Sequence, residues 1–144
     1  MASVHRELVL DAPPEAVWAA VRDVGAVHER LFPGYLTDAR LEGPEGEGDV
    51  PTRVVTFASG LVVREHVVAL DDANRRVAWT AVGGRAAHHH ASMQVRPEPT
   101  ASGPEQSRLV WSTDVLPDAL EPAVRALVDG GVAVLTRTLA AWER

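Results

Sequence analysis

Residues 117–144 read PDALEPAVRALVDGGVAVLTRTLAAWER, and this stretch decides the fold. Leu120, Val124, Leu127, Val128, Val132, Leu135, Leu139 and Trp142 recur at steps of three and four, which draws one apolar stripe along a helix. The pattern predicts one uninterrupted helix from Pro117 to the C-terminus. About 26 helical residues span roughly 39 Å at 1.5 Å each, enough to cross the whole face of a small sheet. Such a stripe has to be buried, and the rest of the chain offers strands to bury it against.

Val4, Arg6, Leu8 and Leu10 alternate with His5, Glu7 and Val9, which predicts a strand over residues 3–11. Asp11-Ala-Pro-Pro-Glu15 stops that strand and opens a helix, because proline is tolerated where the first helical N–H groups lack partners. Ala16, Val17, Ala20, Val21 and Val24 give this helix a buried face, with Trp18 flanking it and Gly25 ending it. A second short helix over residues 26–31 stops before Phe32-Pro33-Gly34.

From Tyr35 the period changes to two, with strands expected over 35–42, 52–58, 61–70, 75–83, 87–97 and 107–116. Turn-rich breaks separate them at Gly43 to Gly48, Ser59-Gly60, Asp71 to Asn74, Gly83-Gly84 and Pro97 to Gln106. The short breaks at Ser59-Gly60 and Asp71 to Asn74 suit hairpins and so antiparallel neighbours. The fold class that follows is α+β, in one domain over residues 1–144. A curved antiparallel sheet of about seven strands wraps around the long C-terminal helix, and the two short helices between strands 1 and 2 plug one end.

Composition removes several function classes. An apolar fraction of 46% and a charged fraction of 24% are ordinary for a globular domain. All 14 basic residues are arginines, yet the net charge is −6 and no basic stripe appears, which argues against a nucleic-acid surface. Cysteine is absent, which excludes disulfides, thiolate metal sites and cysteine nucleophiles. Neither a signal peptide nor an apolar run of about 20 residues is present, so no membrane partner and a cytoplasmic location are expected.

Alternation also sorts each strand into faces. Arg53, Val55 and Phe57 fall on one face, as do Leu61, Val63, Glu65, Val67 and Ala69 of the next strand. The following strands place Val77, Trp79 and Ala81, then His89, Ala91, Met93 and Val95, then Leu109, Trp111 and Thr113 on the concave side. Apolar and aromatic walls with a few polar intruders match a small-molecule pocket, and equally a plain packed core. Arg53 and Glu65 face each other across a hairpin, as a structural ion pair or as ligand-facing groups. His88-His89-His90 cannot chelate one ion from regular strand geometry, so no metal site is expected. His89 alone points inward, as a satisfied polar group or as a proton-transfer group. Gly130-Gly131 in mid-helix costs roughly 0.8–1 kcal/mol per glycine relative to alanine, which points to close helix–sheet approach or to a flexible point.

These patterns resemble the START-like (SRPBCC) superfamily with the helix-grip fold, and within it the polyketide cyclase/dehydratase and lipid-transport branch. The residues that carry the resemblance are Ala12-Pro-Pro-Glu-Ala-Val-Trp18 with Asp23, Phe32-Pro33-Gly34, Arg53, and Gly60-Leu-Val-Val-Arg-Glu65-His-Val. Asp71 to Arg76 leading to Trp79, the His89 to Val95 strand, Leu109-Val-Trp111 and Gly131 to Leu139 complete it over essentially the full chain. It implies a cavity between sheet and long helix for a hydrophobic or amphipathic ligand, and it supplies no cofactor. His89 stands where relatives are similar in carrying a tyrosine.

The expected cavity wall is Arg53, Val55, Phe57, Val63, Glu65, Trp79, His89, Met93 and Trp111 from the sheet, with Val128 and Val132 from the helix. Three functions remain open. One is a binding protein for a lipid or polyketide-like molecule. Another is an aromatase/cyclase-type enzyme in which Arg53, Glu65 and His89 polarise a carbonyl and shuttle a proton. The third is a structural or regulatory homodimer whose cavity is closed by Trp79 and Trp111.

Overall fold

The computed structural model describes residues 1–43 and 50–141. Within them the chain runs β1 (Ala2–Leu10), α1 (Pro14–Arg22), α2 (Val27–Arg30), β2 (Leu36–Glu42), β3 (Thr52–Phe57) and β4 (Val62–Asp71). It continues with β5 (Arg76–Ala81), β6 (His88–Glu98), β7 (Gln106–Leu116) and α3 (Glu121–Ala140). The strands form one antiparallel sheet in the order β1-β7-β6-β5-β4-β3-β2, so the only long jump in sequence joins β1 to β7. This is the helix-grip architecture. Most of the break after Gly43, and Trp142 at the end of the apolar stripe, lie outside the described residues.

The C-terminal helix is shorter than the stripe implied. Pro117 is extended (φ −73°, ψ 163°), Asp118–Leu120 make one 3-10 turn, and α3 begins only at Glu121. Pro122 is the physical reason. In a helix begun at residue 117 it would sit in the interior and clash with the carbonyl four residues back, whereas from Glu121 it falls in the first turn. The 20 residues of α3 extend about 30 Å. Its Val128, Gly131, Leu135 and Leu139 are buried on the sheet.

Strand parity holds from β3 through β7 with one exception. In β4, Val67 pairs with Trp79 and Ala69 with Ala78, so Val68 is the extra residue of a β-bulge. Beyond it Leu70 pairs with Val77, and the faces are exchanged. Ala69, expected on the concave side, therefore turns to the outer one. The bend also carries the β4–β5 turn to α1, where the Trp18 indole N–H and the Arg22 guanidinium both donate to Asp72 Oδ1, at 2.9 and 2.8 Å. Helix α1 thereby seals one end of the curved sheet. Val17, Trp18, Ala20 and Val21 are its buried face.

Candidate ligand-binding cavity

A cavity of about 410 Å³ lies between the concave face of the sheet and the N-terminal half of α3. Alternation delivers its wall: Arg53, Val55 and Phe57 from β3, Val63 and Glu65 from β4, and Trp79 from β5. His89 and Met93 come from β6, Trp111 from β7 and Val128 from α3. Trp79 and Trp111 form parts of the wall and leave the space open.

Val132 stands apart from the expected set. It is half-buried against the core one turn beyond Val128 and does not border the cavity. The cause is Gly131. A Cβ on Gly131 would lie 2.8 Å from Trp111 Cη2 and 3.3 Å from Phe32 Cε1, so helix and sheet are already in contact there. The hollow ends where α3 touches the sheet, and Val132 lies past that point. Close approach therefore accounts for the paired glycines, since a Cβ on Gly130 would meet Tyr35 Oη at 2.9 Å.

That contact is one edge of an aromatic chain. Trp111 and Phe32 have ring centroids 5.7 Å apart, and Tyr35 meets Phe57 edge-on at 5.5 Å. Phe32 and Tyr35, 6.3 Å apart, join the two pairs beneath α3. The Tyr35 hydroxyl donates to the Leu127 carbonyl at 2.7 Å, which ties the helix to the loop after α2. Burial pushes the Tyr35 phenol above its ordinary pKa, so it stays protonated and keeps donating. Sequence reasoning missed Tyr35, although Gly130-Gly131 on α3 already called for bulky rings opposite.

Arg53 and Glu65 are direct cross-strand partners, with Nε to Oε1 at 2.9 Å, and both are almost fully buried. The guanidinium also donates from Nη1 to the Val24 carbonyl at 3.3 Å and lies 5.4 Å from the centre of the Trp79 ring. Nη2 has no protein acceptor among the described residues. Burial pushes the Glu65 carboxyl up from its ordinary range, while the positive charge of Arg53 and hydrogen bonds from Arg53 and the Trp79 indole pull it back. Ion pair and cavity wall are thus the same residues, and the two alternatives for them coincide.

His89 occupies a gap in the sheet. The β5–β6 ladder has Trp79 and Ala91 as its last pair, and toward the cavity mouth the strands part. The Ala81 N–H, left without a ladder carbonyl, donates to His89 Nδ1 at 2.9 Å. Nδ1 is therefore the acceptor, and the neutral ring carries its proton on Nε2. Burial, then the charges of His90 and His88, hold the His89 pKa below its ordinary value, so the ring is neutral at pH 7. Its chemistry in this state is that of a hydrogen-bond donor beside the cavity. His88 and His90 take the other face of β6, and among the described residues no three metal-ligating side chains gather at one point.

The mouth combines the start of the α3 stripe with loop segments on either side of it. Leu61 and Val62 after the β3–β4 turn, residues 82–86 between β5 and β6, and Leu120, Ala123, Val124 and Leu127 form its rim. Gly83 and Gly84 both have positive φ, 75° and 73°, which fixes the sharp course of that loop. Among the described residues no helix is long and apolar enough to cross a membrane.

The family model described as polyketide cyclase / dehydrase and lipid transport matches residues 1–141. The XoxI protein from Bacillus cereus has a TM-score of 0.78 at 16% identity, covering 98% of this chain and 97% of that one. The Zhui aromatase/cyclase from a Streptomyces species scores 0.71 at 18% identity, over 96% of this chain and 91% of that one. Truncated norcoclaurine synthase from Thalictrum flavum scores 0.68 at 20% identity, over 96% and 91%. At these identities the likeness is one of fold. No curated protein matches the chain.

Proposed function

This chain belongs to the polyketide cyclase / dehydrase and lipid transport family, and we propose that it binds a small hydrophobic or amphipathic molecule, lipid or polyketide-like, between sheet and α3. The observation that carries this reading is the hollow of about 410 Å³, which lies within the usual size range of small-molecule sites. Its wall is apolar and aromatic, with Arg53 Nη2 and the His89 ring as donors for a ligand oxygen.

N-phenyl-1-naphthylamine, a neutral probe of joined and fused rings, tests this directly. It should bind saturably to the full chain, with enhanced probe emission and quenched tryptophan emission. Val124→Trp, which fills the mouth from α3, should abolish that signal while far-UV circular dichroism is kept. A wild-type protein that leaves the probe dark would overturn the reading.

A second reading has its own support. Arg53, Glu65 and His89 border one cavity, and a neutral His89 held as the Nε2–H form suits polarisation of a carbonyl by hydrogen bonding. An aromatase/cyclase would use those donors to activate a carbonyl while the walls fold a poly-β-keto chain toward aldol closure. In that case His89→Ala removes turnover and leaves substrate affinity nearly intact. Parallel loss of both, or no turnover of such chains by the wild type, removes the basis for an enzyme. The closed-cavity homodimer requires a filled interior, and the hollow weighs against it.

A further inference from the structure

Three arginines and one carboxylate are among the residues around the cavity: Arg53, Arg64, Arg85 and Glu65. Two of these arginines have a carboxylate partner and one does not, in a chain of formal net charge −6. The three arginines are not equivalent. Arg53 is compensated by Glu65 at 2.9 Å, deep in the wall. Arg64 is taken up by Glu42 of β2. Arg85, exposed on the rim in the loop after Gly83-Gly84, makes no ion pair among the described residues. Around it the rim is apolar and open to solvent, with Leu61 45%, Val62 57%, Val82 39% and Leu127 36% exposed.

From this asymmetry we infer that the ligand is an anionic amphiphile. Its apolar body fills the hollow, and its carboxylate or phosphate group rests on the Arg85 guanidinium at the mouth. The inference rests on the ligand-binding reading above and gives it a chemical class. Location follows from solvation. An anion carried to Arg53 would lose its water and meet a positive charge already neutralised by Glu65, whereas at the rim it stays half hydrated. A guanidinium presents parallel N–H donors to either oxyanion, so a free acid and a phosphate ester share one recognition chemistry. The uncompensated charge also attracts such ligands toward the opening of an otherwise acidic molecule.

Displacement of N-phenyl-1-naphthylamine from the full chain by decan-1-ol, decanoate and decyl phosphate tests this at pH 7.5 and low ionic strength. At least one anion should bind about three- to fivefold more tightly than the alcohol, a difference of the size expected for a solvent-exposed ion pair. The tighter anion names the source, acid or phosphate ester. The anion-to-alcohol ratio should fall to about one in Arg85→Gln and in high salt, and should persist in Arg96→Gln on the outer face of β6. An anion no better than the alcohol overturns the inference while the cavity reading stands. A preference that survives Arg85→Gln overturns the rim assignment. No probe binding at all overturns both.

Discussion

Gly131 lies against the edge of Trp111: a Cβ on the glycine would stand 2.8 Å from Cη2 and 3.1 Å from Cζ3. No carbon pair tolerates that distance, so the indole sets how near α3 can come to the sheet and where the hollow stops.

Gly131→Ala should therefore destabilise the protein by up to about 2 kcal/mol. Overpacking costs about 1–3 kcal/mol, and the gain in helix propensity of about 1 kcal/mol offsets only part of it. Trp111 cannot simply step aside, since it is buried and packed on Phe32. Chemical denaturation of Gly131→Ala with and without Trp111→Leu measures the effect. The second change makes room, so the alanine should then be close to neutral. A stabilised single variant would show that the contact is slack.

Arg53 and Glu65 make a buried pair at 2.9 Å. Arg53→Ala strands a buried carboxylate and should cost about 3–5 kcal/mol. Replacing both residues by methionine should recover most of that loss, because no uncompensated charge remains. Urea denaturation of the two variants decides the point. Equal losses for single and double variants would remove the stranded carboxylate as the cause.

His89 gives a pH dependence of known sign. Unfolded, its imidazole titrates near 6.5, and folded it titrates lower. Between those values the unfolded chain binds more protons, so stability falls as pH drops below about 6.5 toward the folded pKa. His89→Gln keeps an acceptor for the Ala81 N–H without a titrating group. Thermal melts between pH 7.5 and 5.5 should show a shallower decline for that variant. Parallel declines would remove His89 as the cause.

Much of this arrangement was legible because most of one face of the sheet is buried or half-buried. A period of two then assigns Phe57, Trp79, His89, Met93 and Trp111 to one side without knowledge of strand pairing. The bulge at Val68 was not legible, since it falls within the apolar run Val67-Val68-Ala69-Leu70, which has no glycine or polar residue to mark an extra position. The start of α3 was readable from Pro122, whose ring suits only a first turn, and a stripe of apolar residues masked it. Residues 84–86 lie between the expected strands, so only the folded chain places Arg85 on the rim. The role of His89 Nδ1 depends on where the β5–β6 ladder ends, a register property that composition does not encode.

The extra residue at Val68 makes β4 a strand with two phases. Up to Val67 its odd-numbered side chains take the concave face, and after the bulge the even-numbered Leu70, paired with Val77, takes that face. A deletion of one residue there would straighten the strand and turn Leu70 and Asp71 about together, pulling Asp72 away from Trp18 and Arg22. Closure of the far end of the molecule, more than 40 residues from α3 in sequence, thus hangs on a single misfit in one strand. Engineering that shortens this region should open the base of the hollow while the walls stay in place.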